Sequence, residues 1–218
     1  MGNPVIVVVG AGPGIGAAVA RRFGRAGYDV ALVARSEERL DELGMSLQAA
    51  GVTTGWTPVD ITDDSALSQA IERFGTHAGR IDVLHYNPSA FRQKDPLELR
   101  PSELLEDLHL GCAGLLTAVQ AARPFMTAGG RITATGSMAA DRPWDKVASL
   151  GVQKAALRNL VDSIDQRLAP DGIRAMSMTV RGTLAPDTAF SPNRIADALF
   201  EAATTQTEDW RVEVPYSG

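Results

Sequence analysis

The stretch Val5-Ile6-Val7-Val8-Val9-Gly10-Ala11-Gly12-Pro13-Gly14-Ile15-Gly16 decides how the rest of the chain is read. Five β-branched residues in succession form a strand that is apolar on both faces, so both faces of its sheet must be covered. After the glycines, Ile15, Val19 and Phe23 recur every fourth residue, the spacing of one helix face. Strand, glycine loop and helix in that order form a turn able to cradle phosphate. Backbone N–H groups reach a phosphate only where no Cβ stands in the way, and a helix start adds partial positive charge. Gly10 permits the tight turn, while Gly12, Gly14, Ile15 and Gly16 form the cradle and the helix start. A tight β–α turn that holds no ligand would use the same residues.

Outward from this loop, strand-like and helix-like runs alternate almost to the end. The strand-like runs are Val5–Val9, Val30–Val33, Thr54–Val59, Ile81–His85, Arg131–Thr135, Ile173–Val180 and Trp210–Val214. Helical spacing joins Leu104, Leu108, Cys112, Leu115 and Val119, within a helix expected over Leu104–Met126. It also joins Leu150, Leu157, Val161, Ile164 and Leu168, with Lys154 on the same face. Alternating β and α elements with doubly buried strands make an α/β fold, a doubly wound and mostly parallel Rossmann-type sheet of about seven strands. About seven strands in 218 residues leave room for a single domain over 1–218.

The end of the second strand bears on the ligand. Ala34 stands where an NAD site usually places a carboxylate for the ribose hydroxyls, and Arg35, Ser36 and Arg39 follow. A guanidinium pairs well with a 2′-phosphate, so the expected cofactor is NADP (NADPH) rather than NAD. The alternative is a solvated helix start in which Arg35 and Arg39 face Glu37 and Glu38.

Composition excludes other classes. A net charge of −5 argues against a nucleic-acid or anionic-membrane partner. No apolar run approaches the about 18 residues of a membrane span. The single cysteine, Cys112, can form neither an internal disulfide nor a zinc site alone, which fits a reducing, cytoplasmic setting.

In the order and spacing of Gly10–Gly16, Val59-Asp60-Ile61, Tyr86-Asn87-Pro88-Ser89-Ala90, Gly130–Ser137, Lys154 and Arg181-Gly182-Thr183, the chain resembles the short-chain dehydrogenase/reductase family. The resemblance implies an oxidoreductase acting on a small carbonyl or alcohol, with the substrate site built from the C-terminal half. It implies that Asp60 and Ile61 face the adenine, although Asp60 also reads as part of a helix cap. It implies that Asn87 lies under a cofactor ribose, that Ser137 bonds a substrate carbonyl, and that Lys154 holds the nicotinamide ribose. Ser137 could instead serve a strand-end turn, and Lys154 could snorkel to water. Oligomers, dimer or tetramer, are implied through helices matching Leu104–Met126 and Ser149–Leu168.

Three departures stand out. The family tyrosine four residues before the lysine is Leu150 here, and leucine has no proton to give. Gly111, or His109 in a shifted alignment, falls where the family has a relay asparagine. After Arg181-Gly182-Thr183 the covering segment, Leu184–Ser191, is brief. Replacement proton donors are Tyr86, His109 and Tyr216; Ser149 is adjacent to Leu150 but points roughly 100° away around the helix. Two functions follow: an NADP-dependent oxidoreductase with an atypical or impaired relay, or an NADP-binding relative without hydride transfer (a sensor, scaffold or silent subunit); a third, a non-redox enzyme such as an isomerase or cyclase using the open pocket, has no positive sign in the sequence.

Overall fold

Seven strands form one sheet in the order β3-β2-β1-β4-β5-β6-β7, with every neighbouring pair parallel. They are β1 (Val5–Val9), β2 (Asp29–Ala34), β3 (Thr54–Pro58), β4 (Val83–Tyr86), β5 (Arg131–Ser137), β6 (Arg174–Val180) and β7 (Glu213–Tyr216). The computed structural model describes residues 2–218, apart from the Thr207 side chain, so Met1 of the expected domain lies outside it.

Alternation along β1 feeds two cores. Val7 and Val9 pack with Leu84, Tyr86, Leu115 and Leu157 on one face, and Ile6 and Val8 pack with Phe23, Leu32, Leu40 and Ile195 on the other. Helices α3 (Asp64–Ala78), α5 (Gly114–Ala122) and α6 (Ala148–Leu168) cover the first face; α1 (Ile15–Arg25), α2 (Glu37–Ala49) and α7 (Pro192–Thr204) cover the second. Among the described residues no helix is long and apolar enough to cross a membrane.

Two elements differ from expectation. The last strand begins at Glu213, not Trp210, and the Trp210 indole lies against the end of the sheet. Its Nε1 donates to the Ala175 carbonyl at 3.1 Å, and Arg131 and Arg174 lie over its ring. The helix expected over Leu104–Met126 is four pieces: α4 (Pro101–Leu108), a π turn over His109–Ala113, α5, and a 3-10 turn over Arg123–Phe125. The widened turn lets the Leu110 carbonyl accept from Tyr86 Oη at 2.7 Å, a bond the sequence does not announce. Such turns often lie at functional sites.

The strand order reverses between β1 and β4. In open α/β sheets that reversal leaves a crevice at the carboxyl ends of the strands, where ligands bind.

Candidate functional site

The glycine loop is shaped by two kinds of glycine. Gly10 has φ +85°, a left-handed conformation, and its N–H and that of Ala11 both donate to Val33 O. A Cβ at Gly16 would lie 2.2 Å from Gly10 O, so that position admits no side chain without moving the backbone. Gly12 and Gly14 differ: a Cβ at either would meet nothing within 4 Å. Their bareness serves no internal packing and keeps open the space over the start of α1. That helix has no side-chain cap and no acidic residue in its first turn. An uncapped helix start beside open space suits an anionic group.

Arg35, Ser36, Arg39 and Ile61 line the cleft on the β2 side, with Gly10, Gly12 and Asn87. Ser36 caps α2, its hydroxyl accepting from Arg39 N at 3.4 Å. Among the described residues neither arginine forms an ion pair with Glu37 or Glu38, and both are exposed. Asp60 Oδ1 accepts from Thr62 N and Thr62 Oγ1, and those bonds hold its carboxyl below the usual range. The cap of α3 itself is Asp63, whose side chain accepts from Ala66 N.

Asn87 joins the two ends of the cleft. Its Nδ2 donates to Gly10 O at 3.0 Å and its Oδ1 accepts from Thr135 Oγ1 at 2.8 Å, tying β4 to the glycine loop and to β5. The neighbouring Pro88 packs over Gly10 and offers its carbonyl to Lys154. Lys154 is buried on α6. Its Nζ donates to Thr135 O at 2.8 Å and to Pro88 O at 3.5 Å. Carbonyl partners carry no full charge, and burial pulls the ammonium down to about 8. Ser137 closes β5, and its hydroxyl accepts from Ala139 N at 3.2 Å, so the turn-forming role is real. Ser137, Lys154 and Leu150 line one end of the cleft together, with Asn87 and Gly14. Beneath them His85 is fully buried, bonded at 2.9 Å to Thr133, and burial followed by the Lys154 charge takes its pKa down to about 3. It stays neutral.

None of the three tyrosines lines that end of the cleft. Tyr86 is fully buried, and burial raises its hydroxyl far above the ordinary value. Tyr216 Oη donates to Ala189 O, and Tyr28 packs edge-on against Phe23. His109 faces Asp64 at 3.2 Å, and Ser149 Oγ donates to Asp107 at 2.6 Å. The three replacement donors named from the sequence, Tyr86, His109 and Tyr216, are therefore engaged elsewhere, as is Ser149. At Gly111 a Cβ would lie 2.3 Å from Gln153 Oε1. Gln153 fills that place and is itself bonded to the backbone of Ala90.

One cluster escapes sequence reading. Arg92 makes a two-point pair with Asp107 at 3.0 and 2.9 Å, and Lys94 pairs with Glu103 at 2.7 Å. Burial works against charge on Asp107, yet the bonds from Arg92 and Ser149 keep its carboxyl below the usual range. Bonds from Lys94 and Arg100 hold Glu103 at about 2. The network fastens the segment after β4 onto α4 and α6. Its partners lie up to 42 residues apart, and no local pattern marks them.

Known proteins share this architecture. The chain is 31% identical over 174 residues to a 3-dehydrosphinganine reductase of Arabidopsis thaliana, covering 77% of this chain and 51% of that one. A dehydrogenase/reductase from Sinorhizobium meliloti matches with TM-score 0.91 at 23% identity, over 99% of this chain and 94% of that one. An alcohol dehydrogenase from the archaeon Thermococcus sibiricus, solved with 5-hydroxy-NADP, matches with TM-score 0.85 at 25% identity, over 97% and 95%. The model of the short chain dehydrogenase family matches residues 4–193, from the first strand into α7, and the chain belongs to that family of nicotinamide-dependent oxidoreductases.

Proposed function

We propose that this chain is an NADP-dependent oxidoreductase acting on a small carbonyl or alcohol, with a proton relay that uses no tyrosine. The observation that carries the cofactor choice is the pair Arg35 and Arg39, exposed in the β2 end of the cleft and unpaired with Glu37 and Glu38. Ala34 leaves that end without a carboxylate, and two guanidinium groups suit a 2′-phosphate. The bound dinucleotide supplies hydride.

The chain's own residues do the rest. Gly12, Gly14, Ile15 and Gly16 give the pyrophosphate backbone donors at the start of α1. Asp60 and Ile61 flank the adenine. Asn87 sets the distance between the glycine loop and β5, and Lys154 donates to the nicotinamide ribose. Ser137 orients the substrate carbonyl in the C-terminal half of the fold. Leu150 stands one helical turn before Lys154 and offers no proton. The protons on offer in this part of the cleft are those of the Ser137 hydroxyl, the Lys154 ammonium and water admitted past the short segment after β6. A positioned general acid contributes about 10²- to 10⁴-fold, so turnover is slow by that order. The chain acts as a cytoplasmic homo-oligomer, dimer or tetramer, through α4, α5 and α6, where Leu105, Leu116 and Val152 are exposed.

The engagement of Tyr86, Tyr216, His109 and Ser149 also favours a second reading, a cofactor-binding protein without hydride transfer. NADPH titration followed by nucleotide fluorescence, then a screen of ketones and aldehydes for nucleotide oxidation, separates the two. Binding with slow oxidation is expected. Tight binding with no turnover leaves the second reading, and no NADPH binding removes both.

A further inference from the structure

Around Ser137 and Lys154 the cleft is apolar. Its lining includes Phe91, Leu150, Val180 and Leu184, and Lys154 is the one charged side chain among the described lining residues. That lysine already donates to two backbone carbonyls. Leu150 contributes to the character of the cleft: where a phenol would bring a hydroxyl, it brings only methyl groups.

Large apolar side chains stand open here. Phe91 is 59% exposed, Leu184 50% and Trp144 48%. They come from three segments, after β4, after β6 and after β5. Phe91 and Trp144 lie together, ring centroids 6.1 Å apart with planes at 59°. Apolar side chains scattered singly on a surface need no explanation, but a group converging on a cleft marks a binding surface.

The exposure of Phe91 belongs to a held backbone. On one side Ala90 exchanges two hydrogen bonds with the Gln153 carboxamide. On the other, Arg92 is clamped to Asp107. Both neighbours of Phe91 are thus fixed to α4 and α6, and the ring is presented to the cleft by the ionic network.

We infer that this cleft selects an uncharged, ring-bearing ketone or its secondary alcohol. The ring lies against Phe91, which Trp144 backs, and against Leu184; Leu150 forms the apolar floor and the carbonyl points to Ser137. The assignment rests on the reading of this cleft as the substrate site of an NADP-dependent oxidoreductase. A carboxylate-bearing substrate finds no cation other than the engaged Lys154 among the described lining residues.

The test uses the full chain, first titrated with NADPH by nucleotide fluorescence and then, NADPH-loaded, with acetophenone, acetone and the para-carboxylate of acetophenone by calorimetry. Acetophenone is expected to bind at least about tenfold tighter than acetone, the scale of burying one ring against an apolar wall. Phe91→Ala should lose about tenfold for acetophenone and little for acetone, with part of the loss recovered in Phe91→Leu. Leu184→Ala should lose less in the same direction. Because Phe91 and Leu184 are at least half exposed, both variants should melt as the parent does; a lowered melting point moves the comparison to Phe91→Leu and Leu184→Val.

Equal binding of acetone and acetophenone overturns the assignment. So does tighter binding of the carboxylate, or acetophenone affinity unmoved by both truncations. A change in sedimenting mass on Phe91→Ala, without a change in ketone affinity, makes the surface a contact between copies of this chain and overturns it too. Failure of NADPH to bind in the first step strikes the proposed function itself. Normal NADPH binding with acetophenone ignored strikes only the substrate class.

Discussion

The glycine loop and the α4–α6 wall face each other across one cleft and keep their shapes by different means. The loop is held by backbone: Gly10 and Ala11 donate to Val33 O, and Gly16 is bare because Gly10 O leaves no room. The wall is held by side chains, with Arg92 on Asp107, Lys94 on Glu103 and Gln153 against Gly111. A backbone-made site depends on the absence of side chains. A site braced by charges behind the surface does not depend on the group it presents, so the residue at 150 can be exchanged while the segments stay in place. Cofactor grip and chemistry are in this sense separable here.

The largest expected effect tests that separability directly. Leu150→Tyr restores a phenol one turn from Lys154, and kcat/KM for ketone reduction should rise about 10²- to 10⁴-fold. No rise would show that Gln153 or the short segment after β6 also limits the reaction. On the other side of the cleft, Gly12→Val should leave thermal stability unchanged, since its Cβ enters open space, while weakening NADPH about 100-fold through lost phosphate contacts. Gly16→Ala should do the reverse first, lowering the melting temperature because the Cβ meets a carbonyl. Equal behaviour of the two variants would break the distinction between the two kinds of glycine.

Arg35→Asp should weaken NADPH by about tenfold and narrow or invert the preference over NADH, since a charge-assisted contact is worth about 1.5–3 kcal/mol when formed. Fluorescence titration with both nucleotides measures it, and an unchanged preference removes Arg35 from the 2′-phosphate. The smallest effect is on pH dependence. Burial lowers Lys154 to about 8, against about 10.4 in an unfolded chain, so between those values the unfolded state binds the extra proton. Stability should therefore rise as pH climbs from about 8 to about 10.4, with a slope of at most about 1.4 kcal/mol per pH unit. Lys154→Met should remove that rise in urea melts taken across the window. A slope identical to the parent's would show the ammonium to be better solvated than its carbonyl partners allow.

The fold was legible because β1 and β2 carry the unbroken apolar runs Val5–Val9 and Val30–Val33, which only a covered parallel sheet can bury. The glycine loop was legible for the same reason, since its residue types follow from backbone geometry next to that strand. Legibility failed where tertiary partners decide. Nothing in Leu104–Met126 signals a π turn, and the bond that its Leu110 carbonyl accepts comes from Tyr86 on another strand. Trp210 has the residue type of a strand, yet its indole bonds Ala175 O and the strand starts only at Glu213. The pairs Arg92–Asp107 and Ser149–Asp107 read as ordinary surface charges and a helix serine, and only their meeting makes them a brace.

The fit of Gln153 into the space left by Gly111 also couples the π turn to α6. A Cβ at 111 would lie 2.3 Å from the Gln153 carboxamide, so a side chain there must displace Gln153, and shortening 153 strips Ala90 of both its bonds to it. The two positions therefore act as a latch: a change at either is transmitted to Ala90, the neighbour of Phe91, so the face that the cleft presents answers to a contact made behind it.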